Sequence, residues 1–359
     1  MEERIAALRT QLQDKGLDAF LVSQPENRRY LTGFTGSAGT LIVTPQEALL
    51  LVDSRYTEQA GGQAPHCEVR QIAGRLDEDL PPYLERLGGK RWGFESAHLT
   101  VALYDKVRPV FEQAGIALQG VEGAIEAIRA VKDAGEQAAL RKAIRLTDEA
   151  FAHFVAWVRP GVTELEAAWE IEKYIREHGG EGLSFPTIIG GGPNGAMPHH
   201  GAGERPLQAG EPIVIDMGAI VDGYHADMTR TICLGQPDEQ FWAIYSLVLT
   251  AQERAEKGMR AGVSCAEVDR LARQVIADAG HGEHFGHGLG HGVGLATHEL
   301  PRLSGLATEP LPAGAAVTVE PGIYLPGWGG VRIEDVVLVT ATGAEVLTGT
   351  SKEPLVAAC

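Results

Sequence analysis

Glycine occupies every second position from 286 to 294 in the stretch HFGHGLGHGVGLATHE, residues 284 to 299. No other segment restricts the backbone so sharply. In a helix interior each of these glycines costs about 1 kcal/mol relative to alanine. A helix is therefore excluded. In a strand, the same period puts all five glycines on one face and His287, Leu289, His291 and Val293 on the other. A glycine-faced strand is suited to close approach by another backbone or a ligand. Five of the 12 histidines of the chain lie between 281 and 298. A single histidine is most often a hydrogen-bonded structural residue. Two on one face of such a strand become metal-ligand candidates if further donors converge on them.

Carboxylates suited to that role occur in two places. EPIVIDMGAIVDGYHADMTRTI (211–232) carries an apolar run into Asp216, an Asp-Gly pair at 222–223 and a return run through Asp227. Asp-Gly between strand-like runs is a strong hairpin signal, so Asp216 and Asp227 should sit on adjacent strands. AAVTVEPGIYLPGWGGVRIEDVVLV (315–339) repeats the device, with Glu320 going in, a turn over Pro326–Gly330, and Glu334 coming back. Either pair alone would also fit a surface ladder or an unrelated salt bridge. Both follow apolar runs that should be buried, however, and buried carboxylates need cations. Four carboxylates and one imidazole make an oxygen-rich site for two divalent ions, with metal-assisted hydrolysis as the expected chemistry.

At 359 residues the length favours two domains. Up to about residue 128 the pattern is α/β. Ile5, Leu8 and Leu12 have helical spacing with Gly16 as a stop, and DAFLVS, GTLIVT, EALLLVD and RWGFE read as strands. We place the boundary there, giving domains 1–128 and 129–359. The second opens on one long helix, VKDAGEQAALRKAIRLTDEAFAHFVAWVRPG, ended by Pro160-Gly161. Thr163 with Glu166, and Ser264 with Glu267, then form capping boxes for two further helices.

A formal charge of −17 argues against nucleic acid or an anionic membrane as partner. Cys67, Cys233, Cys265 and Cys359 form no CxxC pair, which fits a reducing compartment. The charged N-terminus is no secretory signal, and no apolar run reaches the roughly 20 residues needed to span a bilayer. A cytoplasmic protein is expected.

VIDMGAIVDGYHADMTRT, HGLGHGVGLATHE, VTVEPGIY and GVRIED resemble the pita-bread metallopeptidases of family M24, especially its Xaa-Pro-cleaving branch (M24B). The linker helix IRAVKDAGEQAALRKA and YLTGFTGSAG also look like that branch. The resemblance implies an α/β N-terminal domain of the creatinase/prolidase kind, followed by an α+β pita-bread domain with pseudo-two-fold symmetry. It implies two divalent metal ions held by Asp216, Asp227, His291, Glu320 and Glu334, with Asp227 and Glu334 bridging and Glu320 also moving protons. Mn²⁺ is the expected metal, with Zn²⁺ or Co²⁺ as alternatives. All five ligand positions are filled, unlike the metal-free members of the fold.

The other histidines acquire roles by the same resemblance. His287 and His298 align with histidines that support the metal site or contact substrate. The PNGAMPHH segment makes His199 the substrate-binding histidine, with neighbouring His200 easily mistaken for it; His281 and His284 receive no role. Arg332 resembles an arginine that neutralises the acids or holds substrate. Asp53, Arg55 and Tyr56 resemble the DxRY motif of the small bacterial aminopeptidases P, where it shapes or recognises the substrate end; an Asp-Arg salt bridge is the structural alternative. The expected reaction is release of the N-terminal residue from Xaa-Pro peptides by an aminopeptidase P. The alternatives are a dipeptide-restricted prolidase, for which Arg302 would capture the free carboxylate, and a metal-free peptide-binding module. A methionine aminopeptidase ranks below these. Homodimerisation is expected from the family.

Overall fold

Ile5, Leu8 and Leu12 do fall on one buried stripe of the helix Glu2–Asp14, and Gly16 follows it at φ 61°. The computed structural model describes residues 1–356, so Cys359 lies outside the described residues. Backbone packing divides the chain into two units, one over Met1–Arg129 and the other starting at Ala130.

In the first unit, Ala19–Val22 is buried along its whole length because it lies inside a six-stranded mixed sheet. It pairs antiparallel with Thr40–Val43 and parallel with Arg91–Glu95. Ala48–Val52, Glu68–Gln71 and Ala117–Val121 complete the sheet. Trp92 meets Phe111 edge-to-face at 5.4 Å in its core.

The second unit is built from two similar halves. In each, a pair of helices covers a sheet: Ala134–Trp157 with Glu164–Glu177, and Glu239–Gly258 with Cys265–Asp278. The halves share details of hydrogen bonding. Thr163 caps its helix and bridges to Pro206, and Ser264 caps its helix and bridges to Pro310. Gly161 N–H donates to the Leu207 carbonyl at 2.8 Å, and Gly262 N–H to the Leu311 carbonyl at 2.9 Å. One sequence expectation is corrected here. The box at Thr163 and Glu166 is complete, but Ser264 makes only its own half, because Arg270 takes the Glu267 carboxylate.

Each half contributes one hairpin. In the first, Asp216 opposes Thr229, and Asp222 (φ 52°) with Gly223 (φ 76°) forms the turn; both residues are left-handed, as a two-residue hairpin turn requires. In the second, Val319 pairs with Asp335 and Gly322 with Arg332, so Glu320 and Glu334 face each other in the same register.

The glycine-rich strand is shorter than its pattern predicts, covering only Gly290–Gly292, with a bulge after His291. It lies between Glu299–Leu303 and Ala316–Val319. A Cβ on Gly290 would run into the Thr318 carbonyl oxygen, and one on Gly292 into that of Leu300, whereas Gly286 has open space. The glycines therefore serve close backbone approach at the centre of the stretch but not at its start. Accordingly, Gly290→Ala should lower the urea-unfolding free energy by about 1–3 kcal/mol, while Gly286→Ala stays within about 0.5 kcal/mol of the parent. Equal effects of the two would contradict this packing. Among the described residues no helix is long and apolar enough to cross a membrane.

Candidate metal centre

Asp216 lies near the end of the strand Pro212–Met217, Asp227 just before Met228–Leu234, Glu320 just after Ala316–Val319, and Glu334 just before Asp335–Val339. His291 is the middle residue of its short strand. All five line one cavity of about 850 Å³. Ligand atoms of Asp227, His291 and Glu334 lie within 4.8 Å of one another. His291 Nε2 is 3.6 Å from Asp227 Oδ2 and 3.3 Å from Glu320 Oε1. Its Nδ1 is 3.0 Å from the Gly292 carbonyl. With the Nδ1 proton donated there, the Nε2 lone pair faces the acids, which is the tautomer a metal ligand needs.

Supporting hydrogen bonds orient these side chains. Thr229 Oγ1 donates to Glu334 Oε2 at 2.6 Å, and Thr318 Oγ1 to Glu320 Oε1 at 3.2 Å. Arg332 donates to Asp216 Oδ2 at 2.6 Å and to the Tyr324 hydroxyl at 2.9 Å. That hydroxyl is 2.9 Å from His287 Nε2, and His287 Nδ1 is 2.8 Å from the Gly288 carbonyl. Both ring nitrogens of His287 are thus engaged. Tyr324 was missed by the sequence reading, although strand parity places it on the same face as Glu320, four residues earlier.

Burial raises the pKa of Asp216, opposed chiefly by Arg332. It raises Asp227 and Glu334 well above the usual carboxylate range, reinforced by repulsion from the other acids. Glu320 is pushed up to about 8 by burial, with Asp216 adding to the shift. Burial pushes His291 down to about 4, favouring the neutral imidazole. Asp216 Oδ1 is buried with no hydrogen-bond partner. Three buried carboxylates, a half-buried fourth and a neutral imidazole, relieved by the Arg332 guanidinium, form a cluster whose negative charge divalent cations would neutralise. The donor set fits a pair of such ions.

His298 packs its ring 4.2 Å from that of His291 and lines the cavity, as does His199. His200 also lines it, but its Nε2 lies 2.8 Å from the buried Glu164 carboxylate, which also accepts from Gly191, Asn194 and Gly203. That geometry makes His200 a brace for the loop and leaves His199 as the available imidazole. Arg302 is exposed on the cavity wall, opposite His291 in register, and makes no side-chain hydrogen bond or ion pair among the described residues. His281 and His284 sit with rings 5.7 Å apart and do not line the cavity. In the first unit, Asp53 and Arg55 close on each other through two side-chain bonds of 2.8 and 3.0 Å, and the Tyr56 hydroxyl bonds Ser37 at 2.6 Å.

The chain is similar to known proteins along nearly its whole length. Residues 138–341 match the pattern of metallopeptidase family M24. The chain belongs to that family. Residues 4–131 match the creatinase/prolidase N-terminal domain. An uncharacterized peptidase of Bacillus subtilis is 37% identical over 98% of this chain and 99% of its own. The solved structure of an Xaa-Pro dipeptidase from Bacillus anthracis has a TM-score of 0.95 and 39% identity, covering 99% of both chains. That of an X-Pro aminopeptidase from Thermotoga maritima has a TM-score of 0.90 and 36% identity, covering 98% of this chain and 99% of that one. This M24 protein is therefore a metallopeptidase, with a creatinase-type N-terminal domain and a C-terminal pita-bread domain. M24 metallopeptidases depend on two metal ions, and the clustered donors Asp227, His291 and Glu334 accord with that.

Proposed function

We propose that this protein hydrolyses the bond between an N-terminal residue and a following proline in peptides longer than two residues, as an aminopeptidase P. The observation that carries this reading is the convergence of five metal-type donors on the wall of one large cavity. Asp216, Asp227, His291, Glu320 and Glu334 would hold the two ions. Four carboxylates to one imidazole favour Mn²⁺, with Zn²⁺ or Co²⁺ as alternatives. Such ions, when bound, polarise a carbonyl and make water acidic enough to yield a nucleophile near neutral pH.

The chain's own groups supply the rest. Glu320, whose carboxylate lines the cavity, would take and return a proton there. His199 and His298 line the cavity and would contact the peptide near the scissile bond. Arg332 fixes Asp216 directly and, through Tyr324, fixes the ring of His287. The closed Asp53–Arg55 pair supports the salt-bridge reading of the DSRY segment. The buried, unpaired Cys67, Cys233 and Cys265 support a reducing, cytoplasmic setting. We also expect a homodimer, on the family resemblance, and light scattering would test it.

The cavity of about 850 Å³ has room for a dipeptide or for the first residues of a longer peptide, so its size does not choose between them. Arg302 favours a second reading, a dipeptidase, because a guanidinium without a partner on the cavity wall suits a free carboxylate. Relatives and neighbours carry both names, among them the Xaa-Pro dipeptidase of Pyrococcus horikoshii. The deciding assay compares Ala-Pro, Ala-Pro-Ala and a longer Xaa-Pro peptide with Mn²⁺-loaded enzyme and its Arg302→Ala variant. Cleavage of the longer peptides, little changed by the substitution, is the expected result. Cleavage of Ala-Pro alone, lost in the variant, would establish the dipeptidase. No cleavage of any peptide by metal-replete protein would refute the Xaa-Pro reading.

A further inference from the structure

The linker sequence VKDAGE, residues 131–136, has no part in the ligand set and is exposed at four of its six positions, yet two of its charged side chains are buried. Lys132 and Glu136 are 3% and 2% exposed. The long helix starts here, with Asp133 and Glu136 forming a complete capping box. Glu136 also accepts a hydrogen bond of 3.1 Å from the Tyr224 hydroxyl, just after the turn of the first hairpin. Lys132 N–H donates to the Gly314 carbonyl at 2.9 Å, two residues before the strand that leads to Glu320.

The Lys132 side chain reaches a third element. Its Nζ lies 2.9 Å from Glu299 Oε2, with the two side chains 1% and 4% exposed. Glu299 directly follows His298, and its other oxygen accepts the Ala296 N–H at 2.9 Å. A Cβ on Gly294 would come within 2.7 Å of the same carboxylate. The loop 294–299 is therefore wrapped around one buried carboxylate, and Lys132 is an ammonium that neutralises it. The loop is tied as well to the first hairpin, through His225 N–H to the Gly294 carbonyl at 2.8 Å and His225 Nδ1 to Thr297 Oγ1 at 3.1 Å. Thr297 and His298 project from this loop into the cavity, where His298 packs on His291.

We propose that Lys132 is a positioning residue: its buried pair with Glu299 fixes the loop that sets the His298 imidazole against the metal ligand His291. The proposal rests on the reading of His298 as a substrate-contacting side chain. A buried ion pair adds little net stability but is costly to break from one side, so it acts here as a geometric constraint.

The test is a double-mutant cycle between Lys132→Met and His298→Ala on an Xaa-Pro peptide, with the imidazole resonance of His298 followed by NMR in Zn²⁺-loaded protein. Displacement by about 1 Å can cost about 10²-fold in rate. Lys132→Met should therefore lower kcat by about that factor with KM much less changed, shift the His298 resonance, and add little on top of His298→Ala. Lys132→Arg should recover most of the loss. Multiplicative effects, or an unmoved His298 resonance, would overturn the proposal. If His298→Ala leaves turnover unchanged, the substrate role of His298 falls, and the resonance alone decides whether Lys132 positions the ring. If Lys132→Met does not fold, Lys132→Met/Glu299→Leu, which buries no lone charge, replaces it; parental kcat in that pair would equally refute the idea.

Discussion

Replacing His291 or Glu320 with alanine is expected to lower kcat/KM on an Xaa-Pro peptide by at least about 10³-fold, combining loss of a metal donor with, at Glu320, loss of a proton carrier. The fold should survive both changes. His291 sits on a three-residue strand, and its imidazole is held by the Gly292 carbonyl rather than by the core. Glu320 is among the groups that burial places under most electrostatic stress, with a pKa of about 8. Deleting it from metal-free protein removes a carboxyl whose burial disfavours folding near neutral pH, so the thermal midpoint of that form should hold or rise. Metal content by mass spectrometry and melting by circular dichroism separate this outcome from simple unfolding. Full activity in both variants would remove the metal assignment.

Stripping the metal should abolish turnover and make stability fall as pH rises from about 6.5 to 8. The sign follows from the acids. Glu320 in the folded chain titrates at about 8 against an ordinary 4.5, and Asp216, Asp227 and Glu334 are shifted in the same direction. Between those values the unfolded chain has lost protons that the folded chain still holds. Each rise in pH therefore favours unfolding, until Glu320 itself ionises. His287 and His291, both lowered to about 4, act oppositely, but only below the ordinary histidine value of 6.5. Above it the carboxylates alone decide. Bound divalent ions stabilise the ionised acids, so the loaded protein should lose far less over the same interval, and at 100 times Kd each site adds about 2.7 kcal/mol. Urea midpoints at pH 6.5 and 8, with and without metal, provide the check. Metal-free protein as stable at pH 8 as at 6.5 would show that the four acids do not share one buried site.

Much of this centre was legible because hairpins are local. An Asp-Gly turn sets the register of its two strands, so Asp216 and Asp227 were paired by their distance from residues 222 and 223. The turn near residue 327 did the same for Glu320 and Glu334. Other features depended on partners far along the chain. Alternating glycines predicted a bare strand face over 286–294, but the strand stops after Gly292 because only its central residues meet the carbonyls of Thr318 and Leu300. The contact that holds His200 joins it to Glu164, more than thirty residues away. Ser264 lost half of its capping box to Arg270, a competitor on its own helix.

By itself the sequence determined the two hairpins, the acids they carry, the glycine strand with its imidazoles and the family to which they belong. All follow from short-range periodicity, turn chemistry and spacing. Only the tertiary structure decided that both hairpins and the glycine strand meet in one cavity, that Tyr324 links Arg332 to His287, and that Lys132 reaches Glu299. Those contacts join residues that are distant in sequence, and they form because burying apolar strands brings their polar ends together and leaves each buried charge needing a partner.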